Sequence, residues 1–303
     1  MSAPEYVAVA AMPDPSIDVQ ARLADALAGA DITSAEPVLL SDGGPIKAAE
    51  AAFELSDHAS IAAVRFALEG VLGTHGDICV MPVADRKKRI LICDMDSTII
   101  GQECLDELAD YAGLKAEISA ITERAMRGEL NFEEALTERV GMLRGLSLDA
   151  LQQCFEERIT LNAGARTLVK TMEANGAITL LVSGGFTFFT SRVADAAGFD
   201  ENYGNTLIDD GAQLTGEVGL PILGREAKLT RLENAASKTG LTPADALAMG
   251  DGANDLAMIE AAGLGIAFEA KPIVAEKADA AINHTGLISA LYFQGYREDE
   301  FVS

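Results

Sequence analysis

Residues 90–98 read Ile-Leu-Ile-Cys-Asp-Met-Asp-Ser-Thr, an unbroken apolar run that stops at two aspartates one residue apart. A short apolar run bounded by polar residues suits a strand buried on both faces, as in parallel sheets covered by helices. In open α/β sheets, ligands bind just outside the carboxyl ends of such strands. Alternation along an extended backbone sends Asp94 and Asp96 to the same side. Two carboxylates held together repel, so the pair calls for a cation or a shared proton. Taken alone, the same spacing is equally well explained as turn chemistry and helix capping.

Two more strand ends break the tie. Ile178-Thr-Leu-Leu-Val-Ser183-Gly-Gly185 is a strand ending in a hydroxyl and two glycines. Residues 245–255, Asp-Ala-Leu-Ala-Met-Gly-Asp-Gly-Ala-Asn-Asp, are an apolar strand followed by a glycine-rich acidic turn with Asp251, Asn254 and Asp255. Lys228 lies in a helical stretch before that last strand. A carboxylate pair, a hydroxyl at a strand end, a lysine and an Asp-rich turn, in that order, resemble the haloacid dehalogenase-like hydrolases. The resemblance is spread over most of residues 86–295, and it is nearest to the branch that acts on O-phospho-L-serine.

The resemblance implies a role for each residue. Asp94 falls on the nucleophile of the family's DxDx(T/V) motif; a carboxylate attacking phosphorus splits one hard hydrolysis into two steps. Asp96 falls on the general acid/base that protonates the departing alcohol and then deprotonates the attacking water. The family's Mg²⁺ ligands match Asp94, the backbone carbonyl of Asp96, and Asp251, in keeping with the few carboxylates and several waters that this ion prefers. Asp255 matches a carboxylate behind the metal ligands, hydrogen-bonded to a bound water or to Lys228. Ser183, the N–H groups of Gly184 and Gly185 opening a helix, Lys228 and Asn254 match the phosphate-binding set, and side-chain-free glycines let backbone approach an anion closely. Glu103, nine residues after Asp94, matches the glutamate that meets the substrate ammonium, and Arg139 the arginine that grips its carboxylate. Met126 and Phe132 resemble the apolar lining that excludes water when a cap closes. Ser97 and Thr98 are expected to cap the following helix or steady the loop.

Composition narrows the partners. Asp and Glu number 47 against 23 Lys and Arg, a formal net charge of −24 over 303 residues. That argues against nucleic acids or anionic membranes as partners. It also disfavours an anionic substrate at long range, so a phosphate site has to invert the field locally, with a divalent cation and Lys228. Cys79, Cys93, Cys104 and Cys154 show no metal-ligand spacing and suit reduced, buried thiols, although sequence alone does not exclude a disulfide. His58, His75 and His284 are isolated. The first residues carry no signal-peptide pattern, and no apolar run approaches the roughly 20 residues of a membrane span, so a soluble cytoplasmic protein is expected.

Along the chain, residues 1–85 read as a separate βαββαβ unit: strand 6–10, helix 17–28, strand 36–40, a third strand from 48 to 55 whose alanines also suit a helix, helix 60–72 and strand 77–83. This order resembles a small regulatory domain of the ACT type. The basic Arg86-Lys-Lys-Arg89 stretch is expected to be a solvated linker. Residues 86–303 then form a doubly wound α/β domain with a parallel sheet, a helical cap inserted at about 101–162, and a β-hairpin excursion at 202–219. The leading expectation is Mg²⁺-dependent hydrolysis of O-phosphoserine, with a homodimer left open because the sequence does not reveal the oligomeric state. Action on another amino-alcohol phosphate, or phosphotransfer to another alcohol, keeps the same fold. An amino-acid-sensing module is the alternative of a different class. A dehalogenase fits poorly, because expelling a halide needs no acid at Asp96.

Overall fold

A computed structural model describes residues 5–41, 43–55, 60–126 and 129–303, without the side chains of residues 125 and 126. His58 lies outside the described residues, as does the side chain of Met126.

The N-terminal unit has the expected order: β1 (Tyr6–Met12), α1 (Val19–Gly29), β2 (Val38–Leu39), β3 (Lys47–Phe53), α2 (Ile61–Leu72) and β4 (Asp77–Pro82). Its antiparallel sheet runs β2-β3-β1-β4. The alanine-rich segment is a strand because tertiary pairing overrides its helix propensity: Ala48, Ala49 and Ala51 are sealed between the faces of the sheet, where larger side chains would not fit. β2 shrinks to two exposed residues at the sheet edge. Alternation divides the unit's core: Ala8, Ala10 and Met12 of β1 face α1 and α2, while Val7, Val9 and Ala11 join the core of the rest of the chain.

The larger, C-terminal part is built on a six-stranded, fully parallel sheet ordered β12-β11-β10-β5-β6-β7. β5 (Ile90–Cys93) is followed by four cap helices, α3 (Cys104–Tyr111), α4 (Lys115–Met126), α5 (Phe132–Met142) and α6 (Leu148–Arg158). The chain returns through α7 (Ala165–Ala174), β6 (Ile178–Phe186), α8 (Thr187–Ala197) and β7 (Glu201–Asn205). The antiparallel hairpin β8 (Leu207–Asp209) and β9 (Leu214–Val218) and helix α9 (Glu226–Thr239) come next. Then β10 (Ala246–Gly250), α10 (Leu256–Ala261), β11 (Leu264–Phe268), α11 (Pro272–Ala275), β12 (Ala280–Ile282) and α12 (Ser289–Phe293) complete the fold. The chain builds outward from β5 to β6 and β7, then crosses to β10, β11 and β12 on the other side. Strand order therefore reverses at β5, which is where ligands bind in such sheets. The three motif-bearing strands, β10, β5 and β6, are neighbours.

The expected excursion at 202–219 divides in two: residues 201–205 join the parallel sheet as β7, and only 207–218 form the hairpin. The hairpin props the cap, because Gly145 N–H donates to Leu214 O at 2.9 Å and Leu148 N–H to Ala212 O at 2.9 Å. At the cap's root, Ile100 bridges Leu161, and Asn162 Nδ2 donates to Thr98 O at 2.8 Å.

The basic stretch is not a solvated linker. Arg86 pairs with Glu50 at 2.7 Å and donates to Phe293 O, Lys87 sits 4.0 Å over the Tyr296 ring, and Lys88 is buried with its ammonium on Ala244 O. These residues stitch the N-terminal sheet to the C-terminal segment. Asp77 does the same at the other edge. It is 3% exposed and accepts from Asn283 N–H at 2.8 Å and from the N–H and Oγ1 of Thr285, among others. All four cysteines are free and buried. Among the described residues, no helix is long and apolar enough to cross a membrane.

Removing Asp77 would leave the part-buried N–H groups of Asn283, His284 and Thr285 without their common acceptor at this seam. Asp77→Ala is expected to cost about 3 kcal/mol of unfolding free energy, since hydrogen bonds to charged groups are worth roughly 1.5–3 kcal/mol and orphaned donors add a penalty. Denaturant unfolding monitored by circular dichroism measures it; a change under about 0.5 kcal/mol would show that the seam carries no stability.

Candidate active site

The site assembles where β5, β6 and β10 end. Asp94 follows β5 directly, and its N–H donates to Met249 O of β10 at 2.9 Å, which extends the parallel ladder to the motif itself. Its Oδ1 accepts from Met95 N–H at 2.7 Å. Both Asp94 and Asp96 have extended backbone, and both carboxylates line one cavity, although Asp96 belongs to the turn after the strand. Ser97 then adopts a left-handed φ of 54°, which reverses the chain and lets its Oγ donate to Glu103 at 2.8 Å. Ser97 thus steadies the loop rather than capping a helix. Thr98 is buried with no partner for its hydroxyl.

Asp96 is held from two sides, accepting from Cys104 N–H at 2.8 Å and from Ser183 Oγ at 3.0 Å. Burial raises its pKa, against the two hydrogen bonds and with help from the Asp94 charge. Ser183 lies inside β6, not at a helix start: the strand continues through Gly184 and Gly185 to Phe186, with irregular pairing to β7, and α8 opens at Thr187. The Gly185 N–H is directed to Ser183 Oγ at 2.8 Å. A Cβ on Gly185 would stand 3.0 Å from Ser183 Oγ and 3.2 Å from Asp96 Oδ2, a tight fit that would push on both groups.

Lys228 anchors the floor. It is 3% exposed and its ammonium contacts Asp94 Oδ2 at 2.7 Å and Asp255 Oδ1 at 2.5 Å. Burial opposes the ammonium charge, but the two carboxylates outweigh it and raise the lysine pKa. The second oxygen of Asp255, a residue fully excluded from solvent, accepts from Gly252 N–H at 3.0 Å. Burial and the Asp94 charge push Asp255 upward, while Lys228 opposes that shift. Asp251 opens onto the cavity, and burial together with the Asp94 charge raises its pKa. Asp94, Asp251 and Asp255 bring carboxylate oxygens within 4.8 Å of one another.

That donor set fits a hard divalent cation. The oxygens are hard, they converge from two adjacent strand ends, and their mutual repulsion is relieved by a cation. Asp94 and Asp251 are placed to hold it. Asp255 is excluded from solvent and from the cavity lining, with its oxygens turned to Lys228 and Gly252, which suits a supporting role behind the ligands. Asp96 has its carboxylate tied elsewhere, leaving its backbone carbonyl as the group to offer.

The cap supplies the opposite wall. Asn131 and Glu134 form a reciprocal capping box that starts α5 at Phe132. From that start Phe132, Leu136 and Arg139 recur at helical spacing, and all three line the cavity. Phe132 is 43% exposed, and its ring edge would meet a Cβ on Gly184 at 3.4 Å, so the cap closes against the strand end there. Arg139 makes no ion pair among the described residues; its Nε donates to Ala135 O at 3.2 Å, and burial lowers its pKa. Glu103 opens toward the cavity but has protein on its other sides, and burial, followed by the Asp96 charge, pushes it up to about 7. The cavity, about 700 Å³, thus gathers Asp94, Asp96, Glu103, Arg139, Ser183, Gly184, Lys228, Asp251 and Asn254. Asp255 sits behind the wall.

A model of the haloacid dehalogenase-like hydrolases matches residues 91–260. The chain belongs to this family. It is 44% identical to the phosphoserine phosphatase of Archaeoglobus fulgidus over 70% of its own length and 62% of that protein, so the match spans less than two thirds of that relative. It is 47% identical to the phosphoserine phosphatase of Polaromonas over 66% of this chain and 86% of the other. A crystal structure of a probable phosphoserine phosphatase from Vibrio cholerae superposes with a TM-score of 0.75 at 28% identity, covering 98% of this chain and 88% of that one. The N-terminal unit is therefore within the shared architecture.

Sequence reading missed Arg225 and Lys271, which also line the cavity. Lys271 follows β11, so its position at a strand's carboxyl end was the available signal. Arg225 precedes Lys228 by one helical turn.

Gly250 ends β10 with no room for a side chain: an added Cβ would lie 2.3 Å from the Asp255 carboxyl carbon. Gly250→Ala is expected to shift Asp255 and, through Lys228, Asp94. Displacements on that scale cost on the order of 10²-fold in turnover. Steady-state kinetics would test this; a variant within twofold of wild type would mean that the Asp255–Lys228 geometry is not required.

Proposed function

We propose that this protein hydrolyses O-phospho-L-serine to serine and inorganic phosphate with Mg²⁺. The observation that carries the reading is the meeting of Glu103 and Arg139 with Asp94 in one cavity. The cavity thus pairs a nucleophile with one anionic and one cationic group, the complement of an amino acid's two charged ends. The names of the relatives at 44% and 47% identity support it.

Asp94 Oδ attacks phosphorus, forming an aspartyl-phosphate as the bond from phosphorus to the serine oxygen breaks. Asp96, whose raised pKa favours the protonated acid, gives its proton to that oxygen. In the second step Asp96 takes a proton from water as it attacks phosphorus, releasing phosphate and restoring Asp94. Bound Mg²⁺ supplies the charge neutralisation that lets a phosphate dianion approach these carboxylates. Lys228 holds Asp94 in line and offsets charge on the transferring group; in this reading Ser183 Oγ, the Gly184 N–H and Asn254 hold phosphate oxygens, and all three residues line the cavity. Phe132 and the cap exclude water that would otherwise compete.

The reading divides the chain into an ACT-like regulatory unit at 1–85 and the phosphatase at 86–303, with the cap at 101–162. The order and antiparallel pairing of β1 to β4 support the first assignment. Serine biosynthesis in the cytoplasm is the setting that this chemistry suits.

A panel of phosphomonoesters assayed with Mg²⁺, and again after chelation, tests the reading. Phosphoserine should lead the panel and chelation should abolish turnover; sugar phosphates turned over as fast as phosphoserine would overturn it. Arg139→Ala should raise KM for phosphoserine by roughly 30- to 100-fold, the value of a charged hydrogen-bonded pair. The change on p-nitrophenyl phosphate should stay within about threefold; equal losses on both would remove Arg139 from carboxylate recognition.

Glu103 generates a pH dependence. Its carboxyl is raised to about 7, and only the ionised form attracts an ammonium, so affinity for phosphoserine is gained as pH rises toward that value. The ratio of kcat/KM for phosphoserine to that for p-nitrophenyl phosphate cancels the titration of the shared phosphate. That ratio should climb with pH and level off above about 7 in the wild type. In Glu103→Gln it should be low and flat; a ratio that still climbs would place the titration elsewhere.

A further inference from the structure

The reaction cavity has a neighbour. A second hollow of about 890 Å³ shares Asn131, Phe132, Gly224, Arg225 and Ala227 with it. The outer hollow is bordered by exposed side chains, including Glu133, Glu226, Thr230 and Asn234, so it opens to solvent. The shared residues form a neck between the cap, at Asn131 and Phe132, and the start of α9. Arg225 is the one cation in that shared set. It is exposed and, among the described residues, has no ion pair. Its backbone is already helical, with φ −53° and ψ −41°, so it stands one turn before Lys228 on the same side of α9. The helix therefore presents one cation at the neck and one at the floor, a turn apart along the way in.

The electrostatic setting gives this arrangement a purpose. The chain carries −24 overall, and the cavity itself gathers Asp94, Asp96, Glu103 and Asp251. A phosphomonoester dianion approaching it meets repulsion at every distance where screening is incomplete, about 8 Å at physiological salt. A local cation at the mouth reverses that field over the last stretch, and charged clefts of the right sign raise capture by 10-fold or more. Lys271 does not serve equally: it lines the inner cavity and not the outer hollow, and its charge stabilises the Asp251 carboxylate. Arg139 faces the inner cavity alone.

We propose that the outer hollow is the substrate entrance and that Arg225 is its anion guide, a residue that captures the phosphate group at the neck and passes it to Lys228 and the strand ends. Arg225 acts on encounter with the phosphate and not on the bond-breaking step. The proposal rests on the phosphatase reading but not on serine as the alcohol, since any phosphomonoester dianion has to pass the neck.

The test is kcat and kcat/KM of the full chain with Mg²⁺ at low ionic strength and at about 0.3 M NaCl. Wild type is compared with Arg225→Gln, Arg225→Lys and Arg225→Glu, on both phosphoserine and p-nitrophenyl phosphate. Arg225→Gln is expected to lose roughly 5- to 10-fold in kcat/KM at low salt, with kcat changed less than about twofold, and to flatten the salt dependence. Arg225→Lys should keep most of the wild-type value, and Arg225→Glu should lose more than Arg225→Gln and regain activity as salt is added. Unchanged kcat/KM in Arg225→Gln at low salt would overturn the proposal. So would a loss carried by kcat with the wild-type salt slope, which is the mark of a merely structural residue. If phosphoserine proves a poor substrate while the aryl phosphate shows the Arg225 pattern, the substrate reading fails and the guide stands.

Discussion

A single ammonium holds the catalytic centre together. Lys228 is closed off from water between Asp94, at the end of β5, and Asp255, in the turn after β10. Two carboxylates at that separation, with Asp251 beside them, would repel strongly in a medium of low dielectric. One lysine from α9 offsets part of that repulsion and fixes three elements of the chain in a common geometry. The remaining negative charge is what a divalent cation is suited to take up. Because a buried charge is costly to leave unpaired, each of the three groups depends on the other two, so the site is pre-arranged before substrate arrives. Gly250 and Gly252 make room for this: the first leaves space for the Asp255 carboxyl and the second donates its N–H to it.

Around that fixed floor the chain places parts of different rigidity. The strand ends carry Asp94, Asp96, Ser183 and Asp251, while the cap brings Phe132 and Arg139 to the opposite wall of the same cavity. Division of labour of this kind lets one sheet serve many substrates by changes in the cap. Here the cap is steadied from outside by the β8–β9 hairpin, through main-chain hydrogen bonds at Gly145 and Leu148, and rooted by the Ile100–Leu161 bridge. Arg139 and Phe132 thus sit on a helix whose start is set by a capping box and whose far end leans on the hairpin. The N-terminal sheet is bound to the same body by a seam of buried polar groups, with Asp77 at one edge and Arg86 and Lys88 at another.

Much of this was legible from residues alone. The parallel sheet of residues 86–303 and its helical cap form as the alternation of apolar runs and turn residues predicts, and the βαββαβ order of the first 85 residues holds. The failures have common physical causes. Ser183-Gly-Gly185 reads as a helix start, but pairing with β7 keeps it in the strand. Arg86 and Lys88 read as linker charges, because nothing local announces that Glu50 and the Ala244 carbonyl will be waiting for them. For Ser97 the sequence leaves a cap and a loop tie both open, and the left-handed turn that brings its hydroxyl to Glu103 selects the loop tie.

By itself, the sequence determined the chemistry: which residue types are present, in what order, and at which strand ends, since period-two alternation and glycine punctuation are local properties. It also determined the acidic background that any phosphate must overcome. Tertiary structure alone decided which of those strand ends are neighbours, how close Lys228 stands to its two carboxylates, and that Arg225 borders both hollows. Distances between residues far apart in the chain are set by strand order and helix packing, which no local pattern encodes, and it is at those distances that charge acts.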